Sequence, residues 1–167
     1  MTFLEADRYA EIQREVPIAC VDLLCAFPER AAAGEPDLLL IERRDAEDRS
    51  GMLNLVGGRI HHGESLEEAA MRHLHETLGD GVIAEPRDWG RPEWVAVYPH
   101  RDAGPGPYDP RQHSVSPSYL LRCSGVPRVE AGGEAEGLHF FAAADPPPGD
   151  RFGFGQGDVV ARLLEAL

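Results

Sequence analysis

His73 and Glu76 stand three residues apart within GGRIHHGESLEEAAMRHLHETLG, the stretch from Gly57 to Gly79. On a helix this spacing sets two side chains about 60° apart around the axis, close enough to converge on one point. An imidazole and a carboxylate can both donate to a divalent ion, so the pair could hold a metal. Spacing alone leaves a second reading open, in which His73 is a partly buried histidine beside an apolar stripe. Gly57 and Gly58 allow a sharp turn that brings backbone carbonyls close to a ligand, and Arg59 follows directly. Glu64 precedes the helix N-terminus, where the helix dipole favours a carboxylate. Arg72, eight residues on, can fold back to it and tie loop to helix. His61 and His62 are loop residues with no assigned role. His75 points away from the stripe and reads as solvated.

These groups need a well-defined helix to carry them. Ser65 and Glu68 form the S-x-x-E pattern of a capping box. Leu66, Ala70, Leu74 and Leu78 recur every fourth residue as an apolar stripe, and Gly79 fits a C-terminal cap. Upstream, residues 5–15 read as a short helix with Tyr9, Ile12 and Val16 as its apolar positions, ended by Pro17. IACVDLLCAF (18–27) is almost wholly apolar, which predicts a central strand covered on both faces. PERAAAGEP is a loop, DLLLIERR a strand, DAEDRSG a polar turn, and MLNLVGGRI an extended segment running into the glycines. Downstream, EWVAVYPH is a strand and RDAGPGPYDPRQHS a long Gly- and Pro-rich loop, of the kind that is functional or mobile. SPSYLLRC is a strand in which Pro117 suggests an edge position. EGLHFFAA is a further strand, DPPPGDRFGFG a rigid extended connector, and QGDVVARLLEAL an amphipathic helix. This order predicts an α+β fold, a mixed β-sheet with helices packed on it in an α/β/α sandwich.

The 167 residues are most simply one domain, 1–167, large enough for one substantial core. A net charge of −13 gives no basic field to displace counterions, which disfavours nucleic acid as a partner. It leaves room for a small phosphate ligand held by a few arginines or one metal ion. Three cysteines, Cys20, Cys25 and Cys123, without CxxC spacing, read as buried thiols rather than disulfides or a zinc site. The N-terminus carries charges throughout and lacks a signal-peptide core, and no apolar run approaches the roughly 20 residues that span a bilayer. The expectation is a cytoplasmic protein with no membrane partner.

The segment from Gly58 to Gly79 resembles the signature box of the Nudix hydrolases, G-x5-E-x7-R-E-U-x-E-E-x-G-U with U apolar. Gly58, Glu64, Arg72, Leu74, Glu76 and Gly79 fall at the required positions. His73 and Thr77 replace glutamates, and Asp80 replaces the last apolar residue. The resemblance implies the mixed-sheet sandwich and hydrolysis of a nucleoside diphosphate linked to another group, with Mg²⁺ or Mn²⁺ held by the box. FLEADRYAEIQREVPIACVDLL together with the box is similar to the GDP-mannose mannosyl hydrolase branch, well in the first half of the chain and poorly in the second. That branch attacks the sugar carbon with one Mg²⁺, an arginine after the paired glycines and a histidine base in a late loop. Arg59 matches the arginine, and Asp22 an acidic residue of the first strand. The branch's metal-binding glutamate is Thr77 here, and its late histidine falls near Glu136, with His139 three residues on.

The resemblance leaves a metal set of the Gly57 carbonyl, Glu76 and His73, with Glu136 or Glu134 as a further ligand or the general base. With His73 a softer donor than a carboxylate, a weak Mg²⁺ site, a preference for Mn²⁺, or no metal is expected. Glu76, Arg59, Glu136 and His73 are the candidate catalytic residues. Arg43, Arg59, Asp22, Tyr108 and Arg111 are the candidates for binding substrate; Arg44 and Arg101 are further arginine candidates, and Tyr98 is a possible base platform. The expected activity is hydrolysis of a nucleoside diphosphate derivative, a nucleotide sugar first. The alternative is a Nudix-fold module that binds or senses a nucleotide with its chemistry impaired. A homodimer is suggested by the same resemblance.

Overall fold

A computed structural model describes residues 5–30, 37–44, 51–100, 106–130 and 133–167. Strand β1 (Ile18–Phe27) is the axis of the sheet and is buried at every position except Ala19. It runs parallel to the last long strand of the sheet core, Ser114–Gly125. In chain order the other strands are β2 (Asp37–Arg43), β3 (Leu53–Asn54), β4 (Val56–Arg59), β5 (Val82–Ala84) and β6 (Trp94–Tyr98), with Ser114–Gly125 as β7 and Ala135–Ala142 as β8.

The second edge of β1 is divided. Cys20–Leu23 pair with β4 and Cys25–Phe27 with β2, both antiparallel. The far edge of β7 is divided in the same way, Ser114–Ser118 to β6 and Cys123–Gly125 to β5. β2 passes on to β3 and, along its other edge, to β8. Two partners sharing one edge must diverge where the edge changes hands. The edge changes hands at Leu24, and a recess lined by Asp22, Arg43, Leu55 and Gly57 opens where β2–β3 and β4 part.

Side chains alternate across β1, so its two faces feed two cores. Val21, Leu23, Cys25 and Phe27 pack with Ala70, Leu74 and Leu78 of helix α2 (Leu66–Leu78). Leu24 and Ala26 pack with Val159, Val160 and Leu163 of helix α3 (Gly157–Leu164). This is the mixed-sheet sandwich that the sequence predicts. Helix α1 (Ala6–Glu15) buries no residue. Tyr9 and Ile12 are half-covered, but Val16 is 50% exposed, contrary to its predicted place on an apolar face.

Three other expectations change. Pro117 does not mark an edge, because β7 lies between β1 on one side and β6 and β5 on the other. Pairing with β1 runs Ala19↔Val115 and resumes at Asp22↔Ser118, so the missing proline N–H falls in a gap of the ladder. The connector before α3 is not extended throughout, since Gly149–Arg151 and Gly153–Gly155 form two 3-10 turns. Strand β5 is three residues long, too short to show a period, and was not predicted. The three cysteines are free and buried, as predicted. Most of PERAAAGEP, most of the polar turn DAEDRSG, and Arg101 lie outside the described residues. Among the described residues no helix is long and apolar enough to cross a membrane.

Leu74 is fully buried where α2 meets β1. Leu74→Ala is expected to lower the unfolding free energy by about 2–5 kcal/mol. Chemical denaturation should show this as a lower midpoint with an unchanged slope.

Candidate active site

The sequence around Gly57 folds as it does because two close approaches leave no room for a side chain. A Cβ on Gly57 would collide with the Val21 carbonyl of β1, and a Cβ on Gly58 would lie 2.7 Å from Cε1 of His73. The strand thus lies flush against β1 on one side and the box helix on the other. Helix α2 begins with the predicted capping box: the Ser65 Oγ accepts from the Glu68 N–H at 3.2 Å and the Glu68 carboxylate accepts from the Ser65 N–H at 2.8 Å. Gly79 closes it, donating its N–H to His75 O.

Arg72 is the hub of the corner between turn and helix. Its fork donates to both oxygens of Glu64, Nε to Oε1 at 2.7 Å and Nη2 to Oε2 at 2.8 Å. Nη2 also donates to the Arg59 carbonyl at 3.0 Å, and Nη1 to Glu76 Oε2 at 3.2 Å. Glu64 accepts the His61 N–H at 2.7 Å as well. The Arg72 hydrogen bonds hold the Glu64 carboxyl at about 2, against an ordinary value of 4.5. His73 turns its Nε2 to the same Arg59 carbonyl, at 3.0 Å. The same nitrogen lies 3.4 Å from Arg72 Nη1, so one ring tautomer donates to the carbonyl and the other accepts from Arg72. Burial pushes the His73 imidazole below its ordinary value, which favours the neutral ring.

Beside this corner lies a pocket of about 370 Å³, in the recess where the sheet parts. Three guanidiniums enter it. Arg43 from β2 pairs with Glu134 at 3.3 Å. Arg111 makes a two-bond fork to Asp109, 2.9 and 2.8 Å. Arg59 lies 4.1 Å over the ring of Tyr9 from α1, and among the described residues it has no carboxylate partner. Tyr9 and Gln13 both donate to Gln112 Oε1 at 2.9 Å, so α1 is fastened at the pocket rim.

The pocket floor is a buried polar chain. Tyr98 Oη donates to Asp22 Oδ2 at 2.8 Å, and Gln156 accepts from Asn54 Nδ2 and from the Leu55 N–H. Burial pushes the Asp22 carboxyl above its ordinary value, against the pull of the Tyr98 hydrogen bond. Burial likewise raises Glu134, while Arg43 draws it back. Cys20, in the wall, is pushed up to about 12 by burial and is not a nucleophile. Phe154, also in the wall, adopts a left-handed backbone with φ 56°, rare for an aromatic residue. Its ring lies 4.5 Å from the Arg111 guanidinium and 5.6 Å from that of Arg43.

The structure brings Asp22, Arg43, Gly57, Arg59, His73 and Arg111 into this one pocket. Glu76 stands outside it. Its side chain is 60% exposed and lines a shallower depression of about 620 Å³ with Thr77, Glu130 and Glu134. Thr77 is buried. Glu136 is exposed and outside the pocket, because β8 pairs Ala135 with Arg43 and Gly137 with Glu42, leaving Glu136 as an extra residue between them. Glu134, the alternative to it, lines both cavities. Tyr108 is half-buried and does not line the pocket; its N–H donates to the Phe154 carbonyl at 2.9 Å. The Tyr98 ring is buried and its hydroxyl is taken by Asp22. Tyr9, Gln13, Asp109, Gln112, Phe154 and Gln156 had no signal in spacing. Only the glycines on both sides of Phe154 hinted at unusual backbone.

Fold and site together define an α/β/α domain in which a glycine turn and a capped helix stand beside a cation-lined pocket. Residues 24–163 match the NUDIX domain, and the chain belongs to that family. Among curated proteins none matches it in sequence. Among solved structures it is similar to a possible asymmetric diadenosine tetraphosphate (Ap(4)A) hydrolase from Jonesia denitrificans, at 22% identity over 90% of this chain and 94% of that one, TM-score 0.78. A MutT NUDIX hydrolase from Burkholderia pseudomallei shares 28% identity over 89% and 99%, TM-score 0.62. The NUDIX domain of Shewanella oneidensis NrtR, solved with ADP ribose, shares 19% over 98% and 99%, TM-score 0.63.

Nudix hydrolases generally use divalent metals. The donors at this box do not fit a resident divalent ion. The expected donors do not share one cavity: Gly57 lines the pocket, Glu76 lines the outer depression with its Oε2 held by Arg72, and His73 stands between them with Nε2 against the Arg59 carbonyl and Arg72. Among the described residues no three His, Cys, Asp or Glu side chains gather as a metal-holding group.

The Glu64 carboxyl is depressed, so its contribution to stability is full above the unfolded value of about 4.5 and disappears as pH falls through about 2. Acid unfolding should therefore lose part of its slope in that window in Glu64→Gln, measured against the parent chain.

Proposed function

We propose that this chain is a Nudix hydrolase that cleaves a nucleoside diphosphate derivative, a nucleotide sugar first, in the pocket beside Gly57. One observation carries the reading: three guanidiniums and the half-buried carboxyl of Glu134 converge on a single recess next to the glycine turn. Arginine forks match phosphate oxygens in shape and charge. A single cytoplasmic domain, 1–167, and a homodimer accompany this reading.

The residues divide the work. Arg59, Arg43 and Arg111 hold the diphosphate and stabilise the charge that collects on it as it leaves. Glu134 is the base: its carboxylate takes a proton from water, the water oxygen bonds to the anomeric carbon, and the bond from that carbon to the diphosphate oxygen breaks. Burial moves Glu134 towards the pH at which a base works best, and Arg43 at 3.3 Å keeps it ionisable. Asp22 and Tyr98 form the polar floor against which sugar or base hydroxyls would rest. The neighbours named for Ap(4)A and ADP ribose support the ligand class.

A second reading, a module that binds or senses such a nucleotide without cleaving it, is favoured by the His73 bond to the Arg59 carbonyl and by buried Thr77.

Incubation with GDP-mannose, ADP-ribose and Ap(4)A, with products separated by ion exchange, tests both. Release of free sugar or of a mononucleotide supports the hydrolase. Binding with no product from any compound supports the module. In the hydrolase case Glu134→Gln is expected to lower kcat by about 100-fold or more. The parent's rate should fall as pH drops through the raised Glu134 value, and that acid limb should vanish in the variant.

A further inference from the structure

The box corner and the pocket share one residue, Arg59, and they treat its two ends differently. The backbone carbonyl of Arg59 points to α2, where Arg72 Nη2 and His73 Nε2 both lie 3.0 Å from it. Its guanidinium points the other way, over Tyr9 and into the pocket. Arg72, itself a cation, occupies the centre of this corner: it takes both oxygens of Glu64 and one oxygen of Glu76, while Glu76 lies outside the pocket that Gly57 lines.

We infer that side-chain guanidiniums take the place of a metal ion in this protein, so that Arg59, Arg43 and Arg111 bind the ligand's diphosphate without any divalent cation. The inference rests on the ligand class proposed above.

Charge and geometry both support it. A diphosphate diester carries two negative charges. Arg59 enters the pocket without a carboxylate partner among the described residues, stacked on a neutral ring that leaves its N–H edge open to an anion. Arg111 is fixed by a planar fork to Asp109 and packed against Phe154. Arg43 is pinned between Glu134 and the same ring. Cations so held lose little freedom on binding a phosphate. They also occupy the pocket's carboxylates, since Arg43 holds Glu134 and Arg111 holds Asp109, which leaves those oxygens less open to a divalent ion.

The test is titration calorimetry of the full chain with ADP-ribose and with GDP-mannose, first in excess EDTA and then with millimolar Mg²⁺ or Mn²⁺. The expected result is binding in EDTA, with a Kd that changes by less than about threefold on adding metal, since no coordinate bond is lost. Arg59→Ala and, separately, Arg111→Ala should each weaken binding in EDTA by about 10- to 100-fold. Thermal melts of both variants check that the fold is intact, and Arg59→Lys, which keeps the charge and loses the fork, should fall between. Adding the apo chain should leave the six-line electron paramagnetic resonance signal of free Mn²⁺ at full amplitude, and a stoichiometric loss of that signal overturns the inference. Binding that appears only with metal, or tightens at least tenfold with it, overturns the inference while leaving the ligand class standing. Failure to bind either nucleotide under both conditions overturns the ligand class, and this inference with it.

Discussion

One side chain couples the two halves of this site. Arg72 reaches from the helix to both oxygens of Glu64, to the Arg59 carbonyl and to Glu76. Without it the loop from Ile60 to Glu64 would be held by the Ile60 bond to Ala19 and the Glu64 bond to the His61 N–H, and the poorly solvated Glu64 would lose its guanidinium counter-ion. A one-sided break leaves a desolvated carboxylate, which is why such pairs are felt strongly when one partner is removed. The depressed Glu64 carboxyl records the strength of the bond, and its value lies in position more than in stability. With the Arg59 carbonyl fixed, the residue's side chain can leave in only one direction, towards Tyr9.

The pocket that receives it is assembled from the opposite kind of information. Arg43 arrives on a central strand, Arg111 on a loop, Glu134 at the start of the last strand, and Tyr9 on a helix with no buried residue. What unites them is the divided edge of β1. Because β2 and β4 share that edge, neither can run its full length, and the polar ends of both strands face one recess. On the opposite edge of β1, a gap in its ladder with β7 tolerates Pro117 inside the sheet, where a continuous ladder would have lost a hydrogen bond.

This difference explains what could be read beforehand. The box helix, its cap, the close-packed glycines and the Glu64–Arg72 tie depend on residues within about two turns or one short loop, so spacing reveals them. β1 and the amphipathic α3 follow from apolar patterning. The arginines and Asp22 were legible as charge types, and the family resemblance raised them to candidates. Gln112 meets Tyr9 across 103 positions and Gln13 across 99, and no local pattern encodes such a meeting. Glu134 and Glu136 are equivalent in type and separated by one residue. Only the extra residue in β8 decides that the first faces the pocket and the second faces outward. Phe154 was hidden for another reason, since an aromatic residue between two glycines does not advertise a left-handed backbone.

That strained backbone bears on how the pocket works. A left-handed conformation costs an L-residue about 1–2 kcal/mol, so the surrounding structure must over-determine it. Here the Phe154 carbonyl accepts the Tyr108 N–H, and the turn on either side fits against the 106–107 backbone and Asn54. The ring is thereby delivered between Arg43 and Arg111, which would otherwise be drawn wholly to Glu134 and Asp109. A flat apolar surface cannot neutralise a guanidinium, but it can hold the plane of one at fixed height. The wall thus adds a packed surface to two cations that already pair with Glu134 and Asp109, while the polar chain from Asp22 through Tyr98 to Gln156 ties the floor to the start of α3. If the proposed ligand binds here, it meets guanidiniums whose positions are already fixed by their carboxylate and ring neighbours.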